Sequence, residues 1–456
     1  MSDMIESLFS KTIVEKYNIN GPRYTSYPTA LSFNTDIANG LLETASHDSS
    51  SDELSLYLHI PFCKSPCYYC GCNKIVTRDQ EKADTYLDYL EREMAFRQPA
   101  FSHYRVCQIH LGGGTPTFLT DGQQTRLVSM LRRYFEIDDN ATWSIEADPR
   151  TLDTDALTHL AGLGYNRLSF GVQDIDFQVQ EAINRVQSTK DIANLVQHAR
   201  EVGFQSINLD LIYGLPHQTE RTFRTTLSAV IAMQPDRISL FSYAHLPSRF
   251  AAQRKIKDEW LPSPDTKLAL IKLAAKRLSE ADYVMIGIDH FAKPSDELAV
   301  ALQKGELHRN FQGYTTRGDL DLLGLGVSSI SAIDNAYGQN PKTLKAYYAK
   351  IDAHGDITEK GYHLDTDDVI RRSVIMALMC NMHVDFSEIE KQFDILFADY
   401  FGDALESLRP FVQDGLVTFD DQQLTILPHA RLVTRVIAMA FDAYSSALQH
   451  RYSRVI

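Results

Sequence analysis

Short apolar, β-rich runs alternate with helical-looking segments along much of this 456-residue sequence. The runs lie at 54–60, 106–111, 143–146, 167–172, 207–212 and 238–243. Strands that alternate with helices are typical of parallel βαβ units. Six units are too few to close an eight-stranded barrel, so the pattern predicts an α/β fold built on a partial, open βα barrel. A further run at 284–288 extends the predicted sheet.

The sequence after residue 364 has a different pattern, because apolar helical segments at 369–379 and 432–441 flank a predicted hairpin at 416–427. We therefore predict three parts. They are an N-terminal extension at 1–50 that gates the active site, a partial barrel with its extension at 51–364, and a smaller, mainly helical, winged-helix-like domain at 365–456. Acids outnumber bases in the last part, which favours a lid or packing role over DNA binding.

Charge and hydropathy narrow the classes of partner. The formal net charge of −14 argues against a nonspecific polyanion binder, which needs a surplus of Lys and Arg. The first twenty residues lack a basic segment followed by an apolar one, and no later stretch approaches the length of a membrane span. The expectation is a cytoplasmic protein without a nucleic-acid or membrane partner.

Four of the six cysteines lie within ten residues, in the run CKSPCYYCGC directly after the first predicted strand. Such clustering favours a metal or redox site over disulfides. Thiolates of Cys63, Cys67 and Cys70 can bind three irons of a 4Fe-4S cluster, which leaves the fourth iron open to S-adenosylmethionine (SAM). The alternative is a closed zinc site with Cys72 as fourth ligand, although structural zinc sites usually draw on two separated pairs.

Polar and glycine residues follow other predicted strands. The run Leu111-Gly-Gly-Gly-Thr-Pro116 lets backbone approach a ligand, and it lacks the Gly-Lys-Ser/Thr ending of a phosphate loop. We interpret it as recognition of a methionyl amino group, with a plain tight turn as the alternative. Glu146 and Asp210 can accept hydrogen bonds from an amino group or ribose hydroxyls, although lone acids at strand ends are often helix caps.

These motifs resemble those of known families. The spacing CxxxCxxC after a first barrel strand resembles the radical SAM superfamily. The longer unit CxxxCxxCxC, together with GPRYTSYPT at 21–29 and NFQGYTT at 310–316, resembles the oxygen-independent coproporphyrinogen III oxidases, also called coproporphyrinogen dehydrogenases. The similarity runs nearly end to end, through YSRVI at 452–456.

The resemblance implies two SAM molecules in one site and no catalytic side chain, because the cluster and the cofactor generate the radical. Positions matching contacts with the first molecule are Tyr57, Gly113, Glu146 and Ile330. Positions matching contacts with the second are Tyr69, Gly114, Thr115, Gln173, Arg185, Asp210 and Ala244. Position 69 is often Phe in the family. Cys72 matches a family cysteine that is not a cluster ligand.

The implied reaction converts two propionates of coproporphyrinogen III into vinyl groups, giving protoporphyrinogen IX in anaerobic haem biosynthesis. It implies an electron donor such as a flavodoxin-type protein, and we expect a monomer. The four substrate carboxylates need cations, for which the candidates are Arg23, Lys74, Arg78 and Arg309, each of which can equally be a surface charge. The alternatives are a haem-binding chaperone related to the family and a radical methyltransferase, and Cys72 with the GPRYTSYPT run favours the dehydrogenase.

Overall fold

The computed structural model describes residues 11–318, 320–445 and 452. They divide into two compact units. The strand unit comprises residues 33–267 and 320–363, and the helical unit comprises the other described residues, 11–32, 268–318, 364–445 and 452. The first ten residues of the predicted extension, and the family-like run at 453–456, lie outside the described residues.

The elements are numbered along the chain. The strands are β1 (Glu53–Ile60), β2 (Phe62–Cys63), β3 (Ile75–Val76), β4 (Arg105–Gly113), β5 (Glu136–Ala147), β6 (Arg167–Gln173), β7 (Ser206–Tyr213), β8 (Arg237–Ser242), β9 (Val284–Ile286), β10 (His290–Ala292), β11 (His308–Asn310), β12 (Gly313–Thr315), β13 (Asp321–Leu325), β14 (Ile330–Ile333), β15 (Ala336–Gln339), β16 (Lys360–His363), β17 (His383–Asp385), β18 (Val417–Phe419) and β19 (Gln423–Ile426). The helices are α1 (Lys11–Tyr17), α2 (Leu41–Asp48), α3 (Glu81–Phe101), α4 (Asp121–Tyr134), α5 (Thr154–Leu163), α6 (Phe177–Ala182), α7 (Thr189–Glu201), α8 (Glu220–Ala232), α9 (Pro264–Glu280), α10 (Glu297–Lys304), α11 (Leu344–Asp352), α12 (Thr366–Asn381), α13 (Phe386–Phe393), α14 (Phe397–Tyr400), α15 (Gly402–Ser407), α16 (Arg409–Gln413) and α17 (Thr434–Ala438).

The strand unit is organised by one open sheet. Within the unit its order is β16-β15-β14-β13-β1-β4-β5-β6-β7-β8. All pairs from β13 to β8 are parallel, and β14 to β16 continue the sheet with antiparallel pairs. The predicted partial βα barrel is therefore confirmed. All six predicted strands form, and the third is the end of a longer strand, β5.

Local sequence explains these elements. Side chains of β1 are almost continuously buried, as expected for a parallel strand covered on both faces. Helix α4 begins with a capping box. The Thr120 hydroxyl accepts a hydrogen bond from the Gln123 backbone N–H, and the Gln123 side chain accepts one from the Thr120 backbone N–H. Its Leu127 and Leu131 are buried, so one face of the helix packs into the core.

The helical unit contains α1, α10, the antiparallel pairs β9–β10 and β11–β12, and the C-terminal elements from α12 onward. The predicted hairpin at 416–427 forms as β18 and β19, joined by β17. The predicted helix at 369–379 lies within α12. The prediction of one helix at 432–441 was wrong in extent, because only Thr434–Ala438 is α-helical, between 3₁₀ turns. Thr434, Val436 and Ile437 are β-branched, which weakens helix formation there.

Two tyrosines of the run at 21–29 are buried in the helical unit. The Tyr24 hydroxyl donates to Asp442 at 2.8 Å, and the Tyr27 hydroxyl accepts from the Ala443 backbone N–H at 3.1 Å. This run therefore has a packing role in the unit. The division into parts at 1–50, 51–364 and 365–456, and the gating role of the first part, stay predictions.

None of the helices in the described ranges is long and apolar enough to span a bilayer.

Candidate active site

The four clustered cysteines lie in a loop of the strand unit, residues 63–72, here called the cysteine loop. The short parallel pair β2–β3 holds the start of the loop against the chain that follows it. Two further hydrogen bonds attach the loop to the chain after α6: the Tyr68 backbone N–H donates to the Ile183 carbonyl at 2.9 Å, and Asn184 Nδ2 donates to the Pro66 carbonyl at 2.7 Å. The loop is thus fastened at its base and at its middle.

Two of the predicted cluster ligands, Cys63 and Cys70, have hydroxyl, thiol or backbone hydrogen-bond partners, and the Lys74 ammonium also hydrogen-bonds to Cys70. Cys63 Sγ lies 3.3 Å from Thr115 Oγ1, and burial raises the pKa of the Cys63 thiol to about 11. Cys70 Sγ accepts from the Cys72 backbone N–H at 3.4 Å, and a hydrogen bond from the Cys72 thiol is the main cause that lowers the pKa of Cys70 to about 5. The Cys70 thiol therefore loses its proton more readily than the Cys63 thiol, and both bind metal as thiolates.

Cys67 has two guanidinium groups as partners. Arg150 Nη2 and Arg185 Nη1 each lie 3.4 Å from its Sγ. Asp148 accepts from both guanidinium groups, at 2.6 Å from Arg150 Nη2 and 3.2 Å from Arg185 Nη1. Burial alone would raise the pKa of Asp148, but the two arginines lower it below its usual value. This flank of the loop therefore holds one carboxylate and two permanent cations.

The glycine run at the end of β4 is packed so closely that no side chain fits at two of its positions. Gly113 has φ +111°, and a Cβ there would lie 2.5 Å from His59 Cε1. A Cβ on Gly114 would lie 2.6 Å from the Pro61 carbonyl carbon. The Gly113 N–H donates to Glu146 Oε2 at 3.2 Å. This close packing is possible only because both positions are glycine.

Glu146 lies beside this edge with histidines around it. Its Oε1 lies 3.4 Å from His110 Nε2, and the Tyr57 hydroxyl lies 3.1 Å from His59 Nδ1. Burial opposes ionisation of Glu146, but the contacts with His110, Gly113 and His59 together lower its pKa. The Glu146 side chain stays 45% exposed. It is an ionised carboxylate with acceptor positions to spare.

The predicted contacts with a second SAM lie farther along the same sheet edge. Gln173 ends β6 with φ +66° and is buried. Asp210, on β7, accepts from Asn208 Nδ2 at 2.7 Å. The carbonyls of Tyr69 and Ala244 accept from Gln253 Nε2 at 2.8 and 3.2 Å, which links the cysteine loop to the end of β8.

Ile330 begins β14, on the other side of β1 from these strands. It is half-buried, and its carbonyl lies where a Cβ on Gly324 would be only 2.5 Å away. The structure therefore places all the predicted residues in the strand unit. Their roles as ligand contacts stay predictions.

The basic residues predicted to hold carboxylates differ in exposure. Arg23 and Arg78 are exposed, and Lys74 Nζ donates to the Cys70 carbonyl at 3.0 Å. Arg309 Nη1 donates to the Tyr314 hydroxyl at 3.0 Å in the helical unit. Binding of substrate by any of them stays a prediction.

Sequence reasoning missed three residues of this site: His59, His110 and Arg150. The period of two along a strand was a usable signal for one of them, because Tyr57 and His59 lie on the same face of β1. No local signal pointed to Arg150, whose contact with Cys67 depends on the 3₁₀ turn Pro149–Thr151.

The donor set fits an iron-sulfur cluster. Among the residues that the structure describes, no three His, Cys, Asp or Glu side chains converge on a single metal ion. A 4Fe-4S cluster does not need such convergence, because each thiolate binds its own iron. Three cysteines on one fastened loop can hold three irons, and the glycine edge leaves backbone close by for the ligand of the fourth.

Comparison with known proteins agrees with this geometry. Residues 57–230 match the model of the radical SAM superfamily, and residues 364–433 match that of the HemN C-terminal domain. The fold and the site define a radical SAM protein.

Full-length relatives narrow the class. Oxygen-independent coproporphyrinogen III oxidase of Escherichia coli (strain K12) is 52% identical over 446 residues, 97% of this chain and 98% of the relative. The enzyme of the same name from Pseudomonas aeruginosa is 46% identical over 97% of this chain and 98% of its own length. A solved structure of coproporphyrinogen III oxidase (HemN) from Escherichia coli, described as a radical SAM enzyme, superposes with a TM-score of 0.91, at 51% identity over 94% of this chain and 100% of that one. The chain belongs to the family of oxygen-independent coproporphyrinogen III oxidases.

Proposed function

We propose that this chain converts two propionate side chains of coproporphyrinogen III into vinyl groups by oxidative decarboxylation, giving protoporphyrinogen IX in anaerobic haem biosynthesis. The observation that carries the proposal is the fastened cysteine loop beside a bare glycine edge, in a chain 52% identical over nearly its full length to an enzyme named for this substrate.

The cofactors are a 4Fe-4S cluster, held by Cys63, Cys67 and Cys70, and two molecules of SAM. When bound, they supply a 5′-deoxyadenosyl radical that removes a hydrogen atom from a propionate β-carbon, after which carbon dioxide and one electron leave and a vinyl group remains. The task of the chain is to position the reacting carbon and to exclude water and oxygen.

Four residues of the strand unit receive the first SAM: Tyr57, Gly113, Glu146 and Ile330. Glu146 accepts hydrogen bonds from the ammonium group, because its carboxylate is ionised and only partly engaged. Gly113 contributes its backbone, which carries no side chain of its own. The Tyr57 ring stacks on His110 with centroids 5.9 Å apart, which fixes the aromatic surface beside the ligand.

The second SAM is received by Tyr69, Gly114, Thr115, Gln173, Arg185, Asp210 and Ala244. Asp210 is suited to ribose hydroxyls as a carboxylate on the parallel strand β7, and Arg185 to a carboxylate as a buried guanidinium. Tyr69 packs with buried Tyr243 and Ile183 in one apolar cluster, so its ring offers a fixed surface.

The remaining assignments complete the proposal. Substrate carboxylates are held by cations drawn from Arg23, Lys74, Arg78 and Arg309. The extension at 1–50 gates the site, the barrel at 51–364 binds the cofactors, and the domain at 365–456 acts as a lid or packing domain. The enzyme is a cytoplasmic monomer that takes electrons from a flavodoxin-type protein and has no nucleic-acid or membrane partner.

An anaerobic assay tests the function. The iron-reconstituted chain is incubated with SAM, a reductant and coproporphyrinogen III, and the porphyrins are separated after oxidation. We expect protoporphyrin from the wild type and from Cys107→Ser, a cysteine outside the loop, and none from Cys67→Ser. About four irons and four sulfides per chain would establish the cluster over zinc. A loaded cluster that cleaves SAM without converting the porphyrinogen would favour the haem-handling relative instead.

A further inference from the structure

The three cluster cysteines differ in the groups that donate to their sulfurs. Cys63 has a threonine hydroxyl at 3.3 Å, and Cys70 has a backbone N–H at 3.4 Å together with a hydrogen bond from the Lys74 ammonium. Cys67 has two guanidinium groups at 3.4 Å. Cys67 therefore has two cationic donors, whereas Cys70 has one and Cys63 has none among these hydrogen bonds.

Arg150 is held in this position by most of its donors. Its Nε and Nη2 donate to the two oxygens of Asp148 at 3.0 and 2.6 Å, and its Nη1 donates to the Asn184 carbonyl at 3.4 Å. Asp148 also accepts from the Arg150 backbone N–H at 3.1 Å. The Arg150 side chain is 20% exposed, so its orientation is set by the protein rather than by solvent.

Substituting Arg185 would be a less selective test than substituting Arg150. Its Nε and Nη2 donate to the Gly171 carbonyl at 3.2 and 2.6 Å, and it is proposed above to contact the second SAM. Arg150 has no such assignment. A change at Arg150 therefore alters the surroundings of Cys67 without removing a proposed SAM contact.

A cationic donor at a thiolate sulfur favours the reduced state of a cluster. Reduction adds one negative charge, and a nearby guanidinium stabilises that charge more in a partly buried site than in water. Hydrogen bonds to the sulfurs and net charge are known determinants of iron-sulfur potentials. The two arginines at Cys67 therefore bias this cluster toward accepting an electron.

We propose that Arg150 raises the reduction potential of the cluster through its N–H···S hydrogen bond to Cys67. Arg150 is a positioning residue, since it acts through Cys67 and has no proposed contact with SAM or substrate. The proposal rests on the cluster assignment within the proposed function and goes beyond it, because it concerns the energy of the added electron rather than the reaction.

A potentiometric titration tests it. The reconstituted wild type, Arg150→Gln, Arg150→Lys and a surface control, Arg133→Gln, are analysed for iron and sulfide. Each is then titrated anaerobically with mediators while electron paramagnetic resonance follows the reduced cluster. Arg133 is a suitable control because its side chain is 67% exposed. We expect a shift to more negative potential for Arg150→Gln, a smaller negative shift for Arg150→Lys, and no shift for Arg133→Gln.

A fully loaded Arg150→Gln cluster at the wild-type potential would overturn the proposal, as would a positive shift. If Arg150→Gln binds no iron, Arg150→Lys decides: a negative shift supports the role and the wild-type potential refutes it. The titration uses no porphyrinogen, so its failure leaves the proposed reaction intact. Equally, a chain that does not convert coproporphyrinogen can still show the shift.

Discussion

Two carboxylates at the end of β5, only two residues apart, have opposite surroundings. Glu146 accepts from one backbone N–H and lies 3.4 Å from one imidazole, and its side chain is 45% exposed. Asp148 is 8% exposed and accepts from Arg150 and Arg185. Both have lowered pKa values, against the effect of burial.

The difference separates a binding group from a structural one. A buried carboxylate whose oxygens are taken up by guanidinium groups has little left to offer a ligand, and removing it leaves buried cations uncompensated. A carboxylate that is ionised yet underused can receive an ammonium group at little further desolvation cost. Hydrogen-bond saturation, rather than position in the sequence, therefore distinguishes the two roles.

The largest effect on SAM binding is expected next to Glu146. Gly113→Ala places a Cβ 2.5 Å from the His59 ring at φ +111°, so the end of β4 must move and the N–H to Glu146 is misdirected. Calorimetric titration of the reconstituted variant should show no measurable SAM binding. Gly122→Ala, in α4 with nothing within 4 Å of the new Cβ, should bind as the wild type does. Wild-type affinity in Gly113→Ala would show that the glycine edge is not part of the site.

Glu146→Gln should have the next largest effect. It keeps the shape of the side chain but replaces a charged acceptor, and hydrogen bonds to charged groups contribute about 1.5–3 kcal/mol. The dissociation constant of the first SAM should rise about 10- to 100-fold, measured by the same titration. An unchanged constant would mean that Glu146 is as structural as Asp148.

Asp148→Asn should change the affinity of the first SAM least. Instead it should lower the free energy of unfolding of the cluster-free chain by about 3 kcal/mol, because two buried guanidinium groups lose their counter-charge. Denaturant unfolding measures this, with Asp139→Asn, an exposed acid on the same strand, as control. A loss no greater than in the control would contradict a structural role.

The stability difference between the wild type and Asp148→Asn should depend on pH. Because the pKa of Asp148 is lower when folded, its stabilisation is present above the usual carboxyl value of 3.8 and is lost as pH falls through the folded value. The stability difference between wild type and Asp148→Asn should be constant above about pH 5 and shrink below it. A difference that grows as pH falls would reverse the sign of the argument.

The sequence predicted what is local and missed what is assembled from distant segments. The six strands and the cysteine loop carry their own signals of apolar runs and thiol spacing. β13 was not predicted, because Asp321–Leu325 is short and its pairing with β1 joins segments separated by most of the barrel. The asymmetry of donors at Cys67 was likewise invisible, since Arg150 and Arg185 reach one sulfur from two different turns.

The attachment of the cysteine loop has a consequence for exposure to oxygen. The bonds from Tyr68 to Ile183 and from Asn184 to Pro66 involve no metal, so they persist when the iron is stripped. The cluster-free chain is then expected to keep its cysteine loop in place, so that rebuilding the cluster requires iron, sulfide and reductant but no refolding of the chain.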